Sequence, residues 1–228
     1  MILFIDDKPI KLLTKKNWNN QLLEDDFQSI IDAGLCPFKP SEFKGHTLIL
    51  NFHSDLVEKL FYLLHHGLTK NFNSLTILCE KLKPVKIELF KFYDLVKAAG
   101  GIVRNDENKL LHIYRLKKWD LPKGKMEKGE NSRLCAVREI KEECNVDAII
   151  QEKICTTYHT YSFRNRRALK RTKWYLMKGN NDYLIPQKEE GIERVEWISE
   201  NDLSIVKRNT YSSIRYVINK YQELLQIL

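Results

Sequence analysis

The sequence predicts an α/β protein built in two parts, and three observations carry that expectation. Short apolar runs, TLILNF and LTILC, read as buried strands on either side of SDLVEKLFYLLHHG, a capped amphipathic helix. A second set of strand patterns, YDLVKAAGGIVRN, KLLHIYRL, AIIQEKICTTYHTYSF and LKRTKWYLMKG, brackets a helix from Ser132 to Cys144. Finally, 43% of the 228 residues are hydrophobic and 11% aromatic, enough to fill a core and too many for a disordered chain.

Taken in order, ILFI and IKLL flank DDKP and read as a hairpin. EKLKPVK, with Pro84 and alternating charge, reads as a connector that closes a small α/β domain of unknown role at 1–88 and opens a larger domain at 89–228. The polar turn NDEN joins the next two strands, and KKWDLPKGKMEKGE, rich in Gly and Lys, reads as a loop leading into a helix. In that helix Leu134, Val137, Ile140 and Cys144 recur at three- and four-residue steps and define one buried stripe. Glu139, Glu142 and Glu143 are expected off the stripe, their carboxylates converging on the exposed side. After Trp197 one long helix, TYSSIRYVINKYQELLQIL, closes the chain. No internal repeat or low-complexity tract interrupts this plan.

Charge and cysteine usage bound the function. Against 30 acidic residues stand 38 basic ones, a net charge of +8 that favours polyanions such as phosphates or nucleic acid. Cys36, Cys79, Cys135, Cys144 and Cys155 are odd in number, widely spaced and without a CxxC pair, which argues against a disulfide framework or zinc site and for a reducing cytoplasm. The apolar start MILFI is broken by Asp6, Asp7 and Lys8, and no later run reaches the roughly 18 apolar residues of a membrane span.

Like charges at helical spacing repel, so Glu139, Glu142 and Glu143 crowded into one turn of a basic protein call for a counter-charge. Arg133, Arg138 and Lys141 offer the plain answer, a solvated face with mixed charge. A hard cation such as Mg²⁺, which takes oxygen ligands and shares itself with substrate phosphates, offers the other.

Spacing favours the second. Gly124, five residues, Glu130, seven residues and then REIKEECNV resemble the Nudix box, Gx5Ex7REUxEExGU with U a bulky aliphatic. Gly124, Glu130, Arg138, Glu139, Ile140, Glu142, Glu143 and Val146 match it; Asn145 stands where the family has glycine. That glycine ends the helix in a left-handed conformation, which Asn tolerates best among the other residues. The similarity extends over about 92–222, through AAGGIVRN, WDLPKGKMEKGE, TYHTY, KRTKWY and EEGIERVEW. It implies an α/β/α sandwich with a mixed sheet, and hydrolysis of a diphosphate bond in a nucleoside diphosphate linked to another group.

The same resemblance implies roles. Glu139 and Glu143 ligate a divalent metal, Mg²⁺ or Mn²⁺, with Glu142 a further ligand or water-orienting group and the Gly124 carbonyl contributing. Glu130 and Arg138 hold loop against helix. The general base is a box glutamate or comes from a distant loop, and QKEEGIERVEW offers Glu189 and Glu190 just before a strand.

From the residues themselves, Lys123, Lys125 and the run RNRRALKRTK, with Arg164, Arg166, Arg167, Lys170 and Arg171, are candidates for substrate phosphates, a solubilising loop being the alternative. His159, Tyr158 and Tyr161 suit a base, although strand aromatics more often pack; Trp119 and Trp174 are expected to pack. The expected partner is a nucleotide or polyphosphate, with an RNA end and a homodimer also admitted. The rival is a catalytically silent nucleotide-sensing regulator or binding module, disfavoured by the intact glutamates.

Overall fold

The computed structural model describes residues 1–18, 26–35, 37–163, 166–179 and 183–226, which fall into two compact units: 1–95 with 158–169, and 96–157 with 170–228. In the first, β1 (Ile2–Ile5) and β2 (Lys8–Thr14) form the expected hairpin. Its turn residues Asp6 and Asp7 have φ of 48° and 61°, the backbone of a two-residue turn whose twist matches the strands. β3 (Ser29–Asp32), β4 (Gly45–Phe52) and β5 (Phe72–Cys79) follow, in the order β1-β2-β5-β4-β3 with parallel ladders from β2 onward. Parallel neighbours need a crossover, which α1 (Val57–His65) supplies between β4 and β5. Its Val57, Leu60, Phe61 and Leu64 pack with Ile49 and Ile77 in this unit's core. EKLKPVK is not a connector: α2 (Leu82–Lys91) starts within it, and Pro84 sits in the first turn, where its missing N–H would have no helical partner.

The second unit is an α/β/α sandwich. Its sheet takes β7 (Lys109–Arg115), β12 (Ile192–Ser199) and the parts of β6 (Asp94–Arg104), β10 (Ala148–Phe163) and β11 (Arg166–Gly179) that fall within 96–157 and 170–228, in the order β12-β7-β6-β11-β10. The residues expected to form a loop add two short strands, β8 (Lys118–Asp120) on β7 and β9 (Lys123–Lys125) on β6. Alternate strand residues serve opposite faces. Ala99, Val103, Leu111, Ile113, Tyr175 and Met177 pack with α3 (Ser132–Cys144). Ile102, Leu110, Trp174 and Leu176 pack with α4 (Leu203–Arg208) and α5 (Ser212–Leu225). The sequence reading expected only α5 after Trp197; α4 spans six residues, too short to show a helical period. Among the described residues, no helix is long and apolar enough to cross a membrane.

Candidate active site

β9 lies close against β6 because Gly100 lacks a side chain; a Cβ there would stand 2.2 Å from the Pro122 carbonyl oxygen. This brings Gly124 beside α3. The helix starts at Asn131, whose side chain accepts from the backbone N–H groups of Arg133 (2.9 Å) and Leu134 (3.1 Å). It ends at Asn145, with φ 59° and ψ 34°, left-handed as expected of a residue in the glycine position.

The buried face of α3 differs from the sequence reading. It consists of Ser132, Cys135, Ala136, Glu139, Ile140, Glu143 and Cys144, a continuous three-and-four pattern. Leu134 is 60% exposed and Val137 half-buried, so the apolar stripe was placed too far round the helix. Glu139 and Glu143, expected on the exposed side, are 8% and 2% exposed; of the three glutamates only Glu142 faces solvent.

Arg138 joins four groups. Its guanidinium meets both oxygens of Glu130 at 3.0 Å, Glu139 at 2.8 Å and Glu142 at 2.7 Å, and donates to the Lys125 carbonyl at 3.0 Å. The bidentate pair with Glu130 clamps the loop onto the helix, and its hydrogen bonds hold the Glu130 carboxyl below its usual range. Burial raises the pKa of Glu139 despite Arg138. Glu143 is raised further, to about 7, by burial that nearby Lys123 and Arg115 offset only in part.

Glu143 also meets Lys123 in a role other than the expected one, and Arg115, which together with Asp120 the sequence reading missed. One oxygen accepts from the Lys123 backbone N–H at 2.8 Å, and the other lies 3.9 Å from Arg115. Arg115 in turn donates twice to Asp120, at 3.2 and 3.1 Å. The Lys123 ammonium, expected beside the box as an open cation, is buried against Asp120 at 2.6 Å and the Leu121 carbonyl at 3.1 Å. Burial would raise the pKa of Asp120, but Lys123 and Arg115 outweigh it and hold the group ionised.

Lys170, a phosphate candidate, is half-buried in β11 near this cluster. Burial, then repulsion from Lys123 and Arg115, lowers its pKa to about 8. Among the described residues no hydrogen bond or ion pair reaches its ammonium. Arg171, the next residue in the strand and so on its other face, is half-buried, while Lys125 is exposed next to Gly124. His159 and Arg167 group with the first unit, where His159 lies 5.6 Å from the Tyr161 ring. Arg164 and the Arg166 side chain lie outside the described residues.

The loop carrying the two base candidates is bonded to the end of α3: Ile185 N–H donates to the Cys144 carbonyl and Gln187 N–H to the Glu143 carbonyl, each at 3.2 Å. Glu189 lines a groove of about 390 Å³ with Glu142, Lys141 and Lys188. Glu190, by contrast, acts with Asp120 and Glu143 on Arg115, together outweighing burial and raising its pKa.

The donor set fits a divalent cation. Glu139, Glu142, Glu143 and the Gly124 carbonyl offer hard oxygen alone. Gly124 makes room for a carboxylate, since a Cβ on it would stand 2.1 Å from the Glu139 carboxyl. With the side chains as they stand, no three His, Cys, Asp or Glu groups among the described residues converge to hold an ion. Arg138 holds Glu139 and Glu142, and the Lys123 N–H holds Glu143.

The family model of the NUDIX domain matches residues 94–221. Among solved structures the chain is similar to a C. elegans Ap4A hydrolase binary complex, at 26% identity and TM-score 0.46 over 58% of this chain and 99% of that one. It is similar to a MutT Nudix hydrolase from Burkholderia pseudomallei, at 20% identity and TM-score 0.47 over 56% and 98%. A MutT protein from Methanosarcina mazei Go1 matches at 15% identity and TM-score 0.45 over 57% and 96%. With more than half of its residues matched by the domain model, the chain belongs to the Nudix family and is a pyrophosphohydrolase of that kind.

Proposed function

We propose that the second unit hydrolyses a phosphoanhydride in a nucleoside diphosphate linked to another group, with water as nucleophile and Mg²⁺ or Mn²⁺ held by Glu139, Glu142, Glu143 and the Gly124 carbonyl. The observation that supports this most is Glu143, which is 2% exposed and whose direct partners among the described residues are one backbone N–H and a guanidinium 3.9 Å away, with the Lys123 charge offsetting its burial only in part. Its buried negative charge exceeds what those partners satisfy, the condition under which a cation binds. A divalent ion there supplies charge neutralisation at the phosphoryl oxygens and a water of lowered pKa.

Of the loop carboxylates, Glu190 is favoured as the base that takes the proton of the attacking water, because its charge reaches the guanidinium next to Glu143. Lys170 receives a substrate phosphate, gaining a direct ion pair in addition to the longer-range pull of Asp120, Glu143 and Glu139. With Lys125 at the rim, the cations favour a substrate with several phosphates, a dinucleoside polyphosphate, a nucleoside triphosphate or a capped RNA end, over a nucleotide sugar. Cytoplasmic activity remains the expectation from cysteine usage.

Phosphate and pyrophosphate release from a nucleotide panel, measured with EDTA and with added Mg²⁺, tests the proposal. Turnover should require the cation and vanish in Glu142→Gln and Glu143→Gln. Glu190→Gln should lower kcat while cation binding persists. Turnover that survives EDTA, or that is unchanged in both box variants, refutes it.

A further inference from the structure

Both oxygens of Glu143 face groups that Asp120 organises. Asp120 accepts two bonds from Arg115 and one from Lys123, and its other oxygen accepts from the Leu121 N–H at 2.8 Å. The side-chain bond from Lys123 back to Asp120 folds 120–123 so that the Lys123 N–H reaches Glu143. The two bonds to Arg115 stop its guanidinium 3.9 Å short of Glu143. Asp120, 2% exposed, is thus the nearest acceptor for two cations that would otherwise have Glu143 as theirs.

We infer that Asp120 is a positioning residue: by holding the Arg115 guanidinium and the Lys123 ammonium to itself, it leaves the Glu143 carboxylate open to a divalent cation. This rests on the reading of Glu143 as a cation ligand. Without the Asp120 charge, half-buried Arg115 and buried Lys123 are left with Glu143 as the next acidic group acting on them, and leaving a buried charge uncompensated is costly. Glu143 is then neutralised from within the protein and competes poorly for the ion. Asp120 touches neither substrate nor reacting atoms on this account; it acts through two neighbours.

Calorimetric titration of Mn²⁺ into the full chain provides a readout separate from turnover. Wild-type protein should bind, and Glu143→Gln should lose that binding, which tests the underlying reading. Asp120→Asn should weaken affinity at least tenfold, and adding Arg115→Met to it should recover at least threefold, because the competing guanidinium is gone. A merely structural role for Asp120 predicts the opposite, since a second core substitution would damage the site further. If Asp120→Asn does not fold, Asp120→Asn with Lys123→Met, which removes one charge of each sign, carries the same comparison with and without Arg115→Met. Affinity within twofold of wild type in the Asp120 variant, or no recovery on removing Arg115, overturns the inference while leaving Glu143 as a ligand. Unchanged binding in Glu143→Gln overturns the reading beneath it.

Discussion

Gly124 lies against Glu139 so closely that a single methyl group on Gly124 would stand 2.1 Å from the carboxyl. The glycine is required here for close approach, since its φ is not positive. Gly124→Ala should push the Glu139 carboxylate away from the loop carbonyl and lower kcat/KM at least tenfold. Stability should fall by about 1–3 kcal/mol, the usual penalty of overpacking. Steady-state kinetics beside urea unfolding would separate the two, and full activity in the alanine variant would show that Glu139 need not sit there.

The helix end offers a cleaner stability test. Asn145 holds the left-handed conformation and donates from its side chain to the Tyr183 carbonyl at 2.8 Å. Asn145→Ala loses both the tolerance for that backbone and the bond, and should destabilise the domain by about 1–2 kcal/mol. Asn145→Gly, which relieves the backbone but loses the bond, should stay within about 1 kcal/mol of wild type. Urea midpoints for the three proteins decide it; equal losses in both variants would assign the whole effect to the hydrogen bond.

The box was legible in the sequence because its geometry lies within one helix and one short loop, where spacing alone fixes which residues share a face. The resemblance to that box therefore paired Arg138 with Glu130. Arg115 and Asp120 could not be paired in this way. They meet because β7 turns back into β8 through Leu116 and Lys117, both with positive φ (51° and 60°). Neither residue signals a turn as Asn or Gly would, so KKWD read as loop. The strand LKRTKWYLMKG is legible, but its charge density gives no sign that Lys170 turns inward. Leu134 misled in the other direction, its hydrophobicity drawing the apolar stripe away from Cys135, Ala136 and the two buried glutamates.

Lys170 should leave a signature in the pH profile. Its pKa is lowered to about 8 by burial and by Lys123 and Arg115, so the ammonium is present below that pH and lost above it. If it meets a substrate phosphate, kcat/KM, which reports the free enzyme, should fall above about pH 8 with unit slope. Lys170→Arg keeps its charge throughout and should flatten that limb; Lys170→Met should be weak at pH 7 and show no limb from this group. A limb that persists unchanged in the methionine variant assigns the titration elsewhere.

His112 predicts how the second unit fails in acid. It is fully buried in β7, its Nδ1–H donates to the Leu110 carbonyl at 3.0 Å, and its Nε2 has no partner among the described residues. Burial lowers its pKa from 6.5 to about 4, against the opposing pull of the Leu110 carbonyl and Asp120. Above pH 6.5 the ring is neutral in both folded and unfolded chains, and its contribution to stability is complete. As pH falls below 6.5 the unfolded chain takes up a proton that the folded one refuses until about pH 4, so stability is lost across that window. The loss from this residue should reach about 3 kcal/mol. Urea unfolding followed from pH 7.5 to 4 should show the decline, and His112→Phe, close in shape and without a titrating group, should flatten it. An equally steep decline in the phenylalanine variant would place the acid sensitivity on other groups, with His65, whose burial also lowers its pKa to about 4, the next to replace.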